Sequence, residues 1–194
     1  MRDAILNFPK QFTFQPVIAN ARVLERRKTC IVAGMGGSHL AADLLGAWKP
    51  ELDLIMHSNY GLPALVEDRL KNSFLIASSY SGNTEETFDA YDSAQERGIP
   101  VAVIATGGTL LERACADGVA FVRLPSTGIQ PRSALGFSLC ALAKLLGMED
   151  ELKELRKLAD VLDPEGLEET GKMLHGKLGG KTPVIYASVR NEAA

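Results

Sequence analysis

Hydroxyl side chains are concentrated in one short segment, Ser78–Thr84, whose sequence is Ser-Ser-Tyr-Ser-Gly-Asn-Thr. The apolar run Phe74–Ala77 predicts a buried strand before this segment, and apolar residues at helical spacing predict an amphipathic helix after it. The free amides and the positive dipole end of a helix N-terminus attract anions. Ser79, Ser81 and Thr84 would add hydroxyl donors. An ordinary helix cap explains any one of these hydroxyls, but their number predicts an anion site.

A glycine-rich turn, Gly34–Ser38, follows a second apolar run, Cys30–Ala33, and a helix is predicted to begin near His39. This pattern is close to the G-x-G-x-x-G motif of dinucleotide-binding proteins, but histidine stands where the third glycine would fall. No acidic residue ends the next strand, where such proteins hold the ribose. NAD binding is therefore not predicted. The glycines are interpreted as letting the backbone approach a compact polar ligand.

Arg132 lies in a third polar segment, Gln130–Leu135 (Gln-Pro-Arg-Ser-Ala-Leu), where an apolar helix is predicted to begin at Ser133 and end at Leu146. Its guanidinium is a planar fork that binds phosphate or sugar oxygens and stays charged at any working pH. The alternative is an ordinary surface arginine. A cation near a helix start is slightly unfavourable against the dipole, and this local conflict favours a functional role.

These three segments, in this order, resemble the motifs of the sugar isomerase (SIS) domain, and within that family those of bifunctional phosphoglucose/phosphomannose isomerases. The resemblance extends from about residue 15 to the end of the chain. It implies isomerisation of glucose 6-phosphate or mannose 6-phosphate to fructose 6-phosphate, with no cofactor and no metal. It also implies that the sugar phosphate is bound by six residues: Gly37, Ser38, Ser79, Ser81, Thr84 and Arg132.

Aldose–ketose exchange needs a base that moves a proton between C1 and C2, a group that opens the ring, and a cation near the enediolate. Arg132 can supply the cation. The resemblance implies that the base glutamate and the ring-opening histidine belong to a second SIS domain with no counterpart in this sequence, so weak or no activity is expected of this chain alone. Glu85 and Glu86 are interpreted as first-turn carboxylates of a helix. His39 is interpreted as a partly exposed residue at a helix start, and all three stay candidates.

Apolar and helical segments alternate along the chain, which predicts an α/β fold with a doubly wound, mainly parallel sheet and helices on both faces. Five strands are expected, at 29–33, 53–57, 73–78, 101–105 and 119–123. The run Val101–Ala105 is continuously apolar, as a parallel strand buried on both faces must be. An N-terminal helix is predicted at Pro16–Lys28 from apolar residues at helical spacing.

The composition changes after residue 148, so residues 1–148 are expected to form the SIS domain and residues 149–182 a helical linker. Helices are predicted in this linker at Glu151–Leu162 and Gly166–Leu178. Residues 183–194 are expected to be the first strand of a truncated second SIS domain.

The composition also argues against several classes of function. The chain has 194 residues, 46% of them hydrophobic, and a net charge of −3. It has no basic patch longer than Arg26–Lys28 for nucleic acid, and no apolar run near the ~20 residues that span a bilayer. Cys30, Cys115 and Cys140 are odd in number and are expected to be core residues in a reducing compartment. A cytoplasmic protein with neither nucleic-acid nor membrane partners is predicted.

Two other functions stay open on the sequence. Single-domain isomerases of heptose or hexulose phosphates have about this length, and some regulators use an SIS domain as a non-catalytic sugar-phosphate sensor. The context of Tyr80 and Pro131-Arg132 favours the bifunctional type. An open strand edge at 183–188 and the apolar helix at Ser133–Leu146 predict self-association, most simply as a homodimer.

Overall fold

Six strands form one sheet in the computed structural model, which describes residues 1–184. They are β1 (Ile18–Ala19), β2 (Thr29–Ala33), β3 (Leu54–His57), β4 (Ser73–Ser78), β5 (Val101–Ala105) and β6 (Ala120–Arg123). Their order in the sheet is β1-β6-β5-β4-β2-β3. Strands β2 to β6 pair in parallel, and β1 pairs antiparallel with β6 at the edge.

Helices connect these strands. In the described part of the chain they are α1 (Arg2–Leu6), α2 (Leu40–Trp48), α3 (Glu67–Lys71), α4 (Glu85–Glu96), α5 (Gly108–Ala116), α6 (Leu135–Leu146), α7 (Glu149–Val161) and α8 (Glu168–Leu178). Short 3₁₀ turns lie at Pro9–Thr13, Ala21–Val23, Gly36–Ser38 and Pro131–Ala134.

The core lies on both faces of the sheet. All six residues of β4 are buried, which is the pattern of a central parallel strand. Phe74 and Ile76 belong to an apolar cluster shared with α2, α6 and α7. Leu75 and Ala77 belong to a second cluster shared with α4 and α5. Packing against both clusters fixes the position of β4, and therefore the position of the turn that follows it.

The five predicted strands are confirmed, but the helix predicted at Pro16–Lys28 is wrong. That segment forms β1 and the 3₁₀ turn Ala21–Val23, so the sheet has six strands and the N-terminal helix is α1. Asn20 has a left-handed φ of 54°, a conformation that interrupts a helix. Its side-chain amide donates to the Val119 carbonyl at 3.1 Å. Backbone pairing with β6 therefore outweighs the helical spacing of the apolar residues.

The two helices predicted after residue 148 are observed as α7 and α8. Leu152 and Leu155 of α7 are buried in the core, whereas no residue of α8 is buried. The domain boundaries at 148 and 182 stay predictions. Of the second-domain strand predicted within 183–194, residues 185–194 lie outside the described residues.

The cysteines differ from one another in exposure. Cys30 and Cys140 are buried as expected, and burial raises the pKa of the Cys140 thiol to about 11. Cys115 is exposed, which corrects the expectation of a third core cysteine. Its helix, α5, buries Leu110, Leu111 and Ala114, and Cys115 lies off that face. None of the helices in residues 1–184 has the length and apolar character that crossing a membrane requires.

Candidate functional site

The polar turns meet at one edge of the sheet. The carboxyl ends of β2, β4 and β5 lead into Gly34–Ser38, Ser79–Thr84 and Thr106–Gly107. Strands β2 and β4 lie side by side, but β3 lies on the other side of β2, so the strand order reverses between β2 and β4. Ligands of open parallel sheets bind in the crevice beside such a reversal. This edge is therefore the candidate site.

The turn Ser79–Thr84 presents its hydroxyls around the start of α4. Ser79 is buried, and its Oγ lies 2.8 Å from Oγ1 of Thr84 in a hydrogen bond. Ser81 is exposed, and its Oγ accepts the Asn83 amide at 3.2 Å. Thr84 is the N-cap of α4 but makes no side-chain cap hydrogen bond. The first-turn amides of this helix therefore lack a capping side chain, which leaves them suited to an anion.

Gly82 gives this turn its shape. Its φ of 72° lies in the left-handed region, where glycine avoids the strain of a side chain. A Cβ at this position would lie 1.8 Å from the Gly107 carbonyl oxygen, so the turns after β4 and β5 touch through their backbones. The Leu110 amide donates to the Gly82 carbonyl at 2.9 Å, and the Thr109 amide donates to Oδ1 of Asn83 at 3.1 Å. The start of α5 thus supports the turn.

Ser38 joins the turn after β2 to the turn after β4. Its Oγ accepts the Tyr80 amide at 3.1 Å, and its carbonyl accepts the Ser78 hydroxyl at 2.9 Å. A Cβ on Gly34 would lie 2.8 Å from the Ser78 carbonyl oxygen, so a glycine is needed for this approach. The protein contacts of Ser38 therefore hold the two turns in a fixed relation.

Arg132 lies on the turn Pro131–Ala134, directly against the glycine-rich turn. A Cβ on Gly37 would lie 2.6 Å from the backbone nitrogen of Arg132, a distance that admits glycine only. The Arg132 side chain is exposed. Within residues 1–184 its guanidinium makes no hydrogen bond or ion pair with a protein group. Its charge is thus available to a ligand at this edge of the sheet.

The six residues predicted from the sequence come together. Arg132 lies against Gly37, and the next residue, Ser38, is hydrogen-bonded to Tyr80 of the Ser79–Thr84 turn. That turn contains Ser81 and is closed by the hydrogen bond between Ser79 and Thr84. Sequence reasoning did not find the contact between Gly82 and Gly107. It also missed Gln11, which contacts the segment after Arg132 from a distant part of the chain.

The three candidate bases lie at the starts of α2 and α4. Nδ1 of His39, at the start of α2, lies 2.6 Å from Oδ2 of Asp43. Glu85 lies in the first turn of α4, where its carboxylate accepts the Tyr60 hydroxyl at 3.4 Å. Glu86 also lies in that first turn. A helix N-terminus stabilises carboxylates, so the position of both glutamates agrees with the helix-start interpretation.

One polar atom of the site lacks a protein partner. The Tyr80 hydroxyl is buried without a hydrogen bond, and within residues 1–184 the Thr87 hydroxyl is the other buried side-chain atom of this kind. Tyr80 belongs to the Ser79–Thr84 turn, and Thr87 lies at the start of α4. The described residues contain no cluster of three His, Cys, Asp or Glu side chains that could hold a metal ion.

A large cleft borders the site without containing the hydroxyl turn. It has a volume of about 920 Å³, reaches Arg132 and Ser133, and is otherwise lined by residues of α1, the Leu162–Leu167 segment and α8. Because its walls include none of the Ser79–Thr84 hydroxyls, we place the candidate anion site at the start of α4 and not in this cleft.

The comparisons with known proteins found relatives in sequence and in fold. No protein-family model matches the chain. The bifunctional phosphoglucose/phosphomannose isomerase of Caldicellulosiruptor bescii is 36% identical over 96% of this chain and 60% of its own length. The enzyme of the same name from Aquifex aeolicus is 33% identical over 93% of this chain and 56% of its own length. This chain therefore spans little more than half of these relatives.

A solved structure from Clostridium difficile 630, assigned as a phosphosugar isomerase, has a TM-score of 0.59 at 16% identity. The match covers 91% of this chain and 56% of that one. At this identity the likeness shows the fold. As the resemblance to the sugar isomerase (SIS) domain predicts, the chain is similar in sequence to bifunctional phosphoglucose/phosphomannose isomerases and similar in fold to a phosphosugar isomerase.

Proposed function

We propose that the chain binds phosphorylated hexoses, with the phosphate at the start of α4. The observation that carries this proposal is a helix N-terminus without a capping side chain, surrounded by the hydroxyls of Ser79, Ser81 and Thr84. Arg132, whose guanidinium has no protein partner within residues 1–184, lies on the adjoining turn and adds a positive charge. The names of the relatives support a phosphosugar as the ligand.

The reaction that fits this site is aldose–ketose isomerisation, between glucose 6-phosphate or mannose 6-phosphate and fructose 6-phosphate. A base removes the proton from C2 of the open-chain aldose, negative charge collects on the enediolate oxygens, and the proton returns to C1. Arg132 would stabilise the enediolate, because a cation close to a developing oxyanion lowers the barrier. The phosphate site would hold the other end of the sugar and so fix C1 and C2 in place.

Binding tests the first part of the proposal. Fructose 6-phosphate is expected to bind the chain at least about 100-fold more tightly than fructose, because two charge-assisted hydrogen bonds contribute roughly 3 kcal/mol or more. Isothermal titration calorimetry with both sugars at one ionic strength measures this ratio. Inorganic phosphate should compete with fructose 6-phosphate. Equal affinities for the two sugars would contradict a phosphate site.

Turnover tests the second part. We expect residues 1–194 to bind fructose 6-phosphate without appreciable conversion to glucose 6-phosphate, because no residue here matches the base and the ring-opening histidine that the resemblance implies. A coupled assay with glucose-6-phosphate dehydrogenase measures the conversion. Robust turnover that is lost in Arg132→Ala would place the base within this chain, and His39, Glu85 and Glu86 would then be the first residues to substitute. The homodimer and the cytoplasmic location stay predictions.

A further inference from the structure

Gln11 makes three hydrogen bonds to the segment that follows Arg132. Its Nε2 donates to the Ser133 carbonyl at 2.6 Å. Its Oε1 accepts the Gly136 amide at 2.9 Å and the Phe137 amide at 3.4 Å. The residue is 2% exposed, so these bonds are shielded from water and satisfy both ends of a buried side-chain amide.

These bonds replace the missing cap of α6. Ala134 occupies the N-cap of this helix, and its methyl side chain cannot accept a hydrogen bond from a backbone amide. In most helices a serine, threonine or aspartate at the N-cap satisfies the free amides of the first turn. Here Gln11 does so from the 3₁₀ turn Pro9–Thr13. The Gly136 and Phe137 amides at the start of α6 are thereby occupied, whereas the first-turn amides of α4 have no capping side chain.

The same side chain holds the Arg132 turn at the residue next to the one that Gly37 contacts. The backbone nitrogen of Arg132 lies against Gly37, and the carbonyl of the next residue, Ser133, is bonded to Gln11. A Cβ on Gly136 would lie 2.7 Å from Cβ of Gln11, so the close fit depends on glycine there as well. The turn is therefore fixed at two neighbouring residues.

The segment that carries Gln11 is itself anchored. The Phe8 and Phe12 rings, on either side of Gln11, pack edge to face with centroids 5.5 Å apart. The Phe14 ring packs edge to face on the Phe137 ring of α6, at 5.6 Å. The 3₁₀ turn also lies against α7. These aromatic contacts limit the movement of Gln11 relative to α6.

We propose that Gln11 is a positioning residue, which orients Arg132 towards the ligand by bracing the turn Pro131–Ala134. This inference rests on the proposed phosphosugar site. Gln11 touches no substrate in this scheme and acts through the backbone of Ser133. Loss of its donor would free the turn, and the guanidinium of Arg132 would then spend less time in the geometry that binds the sugar phosphate.

The test is a double-mutant cycle between Gln11 and Arg132. Gln11→Met keeps the length of the side chain and removes all three hydrogen bonds. Gln11→Glu keeps an acceptor for the α6 amides, removes the donor to Ser133 and places a carboxylate oxygen against the Ser133 carbonyl. In the parent background, both changes are expected to weaken fructose 6-phosphate binding about 10-fold, as measured by calorimetry. In the Arg132→Ala background they should weaken it by less than about 2-fold, because the effects of two residues that act through one another are not additive. Gln95→Met, on the far part of α4, is the matched control and should leave binding unchanged.

Amide hydrogen exchange gives a second readout that does not depend on the ligand. Gln11→Met is expected to speed exchange at least about 10-fold at the Gly136 amide, which loses its acceptor, and at the Ser133 amide, which donates to the Gln130 carbonyl within the turn at 2.8 Å. The first turn of α4 should be unchanged. Three outcomes would each overturn the inference. The first is parent-like affinity for fructose 6-phosphate in both Gln11 variants, and the second is unchanged amide exchange at Ser133. The third is a loss of affinity on Gln11 substitution that is as large in the Arg132→Ala background as in the parent. Failure of the parent protein to bind fructose 6-phosphate would overturn the proposed function instead, and the exchange comparison would still decide whether Gln11 orders the turn.

Discussion

Gly82→Ala is expected to lower the free energy of unfolding by roughly 3 kcal/mol, from about 1–2 kcal/mol for a side chain in the left-handed region and about 1–3 kcal/mol for overpacking. The added Cβ would meet the Gly107 carbonyl oxygen at 1.8 Å, a clash between two backbones that no rotamer change relieves. Because the turn after β4 would have to move away from the turn after β5, phosphosugar binding should be lost together with stability. Urea unfolding followed by circular dichroism measures the first effect, and calorimetry the second.

Gly98→Ala is the matched control. Gly98 has a similar φ of 65°, but a Cβ there would have no neighbour within 4 Å. Only the conformational cost of about 1–2 kcal/mol should apply, and binding should be unaffected. Equal losses of stability in the two variants would show that the contact between Gly82 and Gly107 does not constrain the turn.

The double substitution Ser81→Ala/Thr84→Ala is expected to weaken fructose 6-phosphate binding by about 100-fold or more. Each hydroxyl would lose a hydrogen bond to a charged phosphate, which is worth roughly 1.5–3 kcal/mol. Stability should also fall, by roughly 1–3 kcal/mol, because the change removes the hydrogen bond between the Thr84 and Ser79 hydroxyls and the one that Ser81 accepts from the Asn83 amide. Calorimetry measures the affinity, and thermal unfolding without ligand measures the stability.

Ser126→Ala/Thr127→Ala serves as the control for this variant, because it removes the same two hydroxyl types from an exposed loop after β6. It should bind fructose 6-phosphate as the parent does. If the Ser81/Thr84 variant retained parent-like affinity for fructose 6-phosphate, the phosphate would not lie at the start of α4, and the 920 Å³ cleft beside Arg132 would become the place to examine.

The local part of the site could be predicted from the sequence. β4, the hydroxyl turn and α4 are consecutive in the chain, and each is specified by its own pattern of apolar, polar and glycine residues. The carboxyl ends of parallel strands share one edge of a sheet, so a parallel sheet places the turns after β2 and β4 at the same edge. Only neighbours along the chain and one general rule of topology were needed for this.

The tertiary structure alone decided how these turns are held. The N-terminal apolar residues fit a helix as well as an edge strand, and only pairing with β6, about a hundred residues away in the chain, selects the strand. Gly82 needs its glycine because Gly107 approaches it, and α6 needs no capping residue of its own because Gln11 supplies the acceptor. Such contacts join residues far apart in the chain. They therefore leave no local pattern in the sequence, because each depends on where the packed core places both partners.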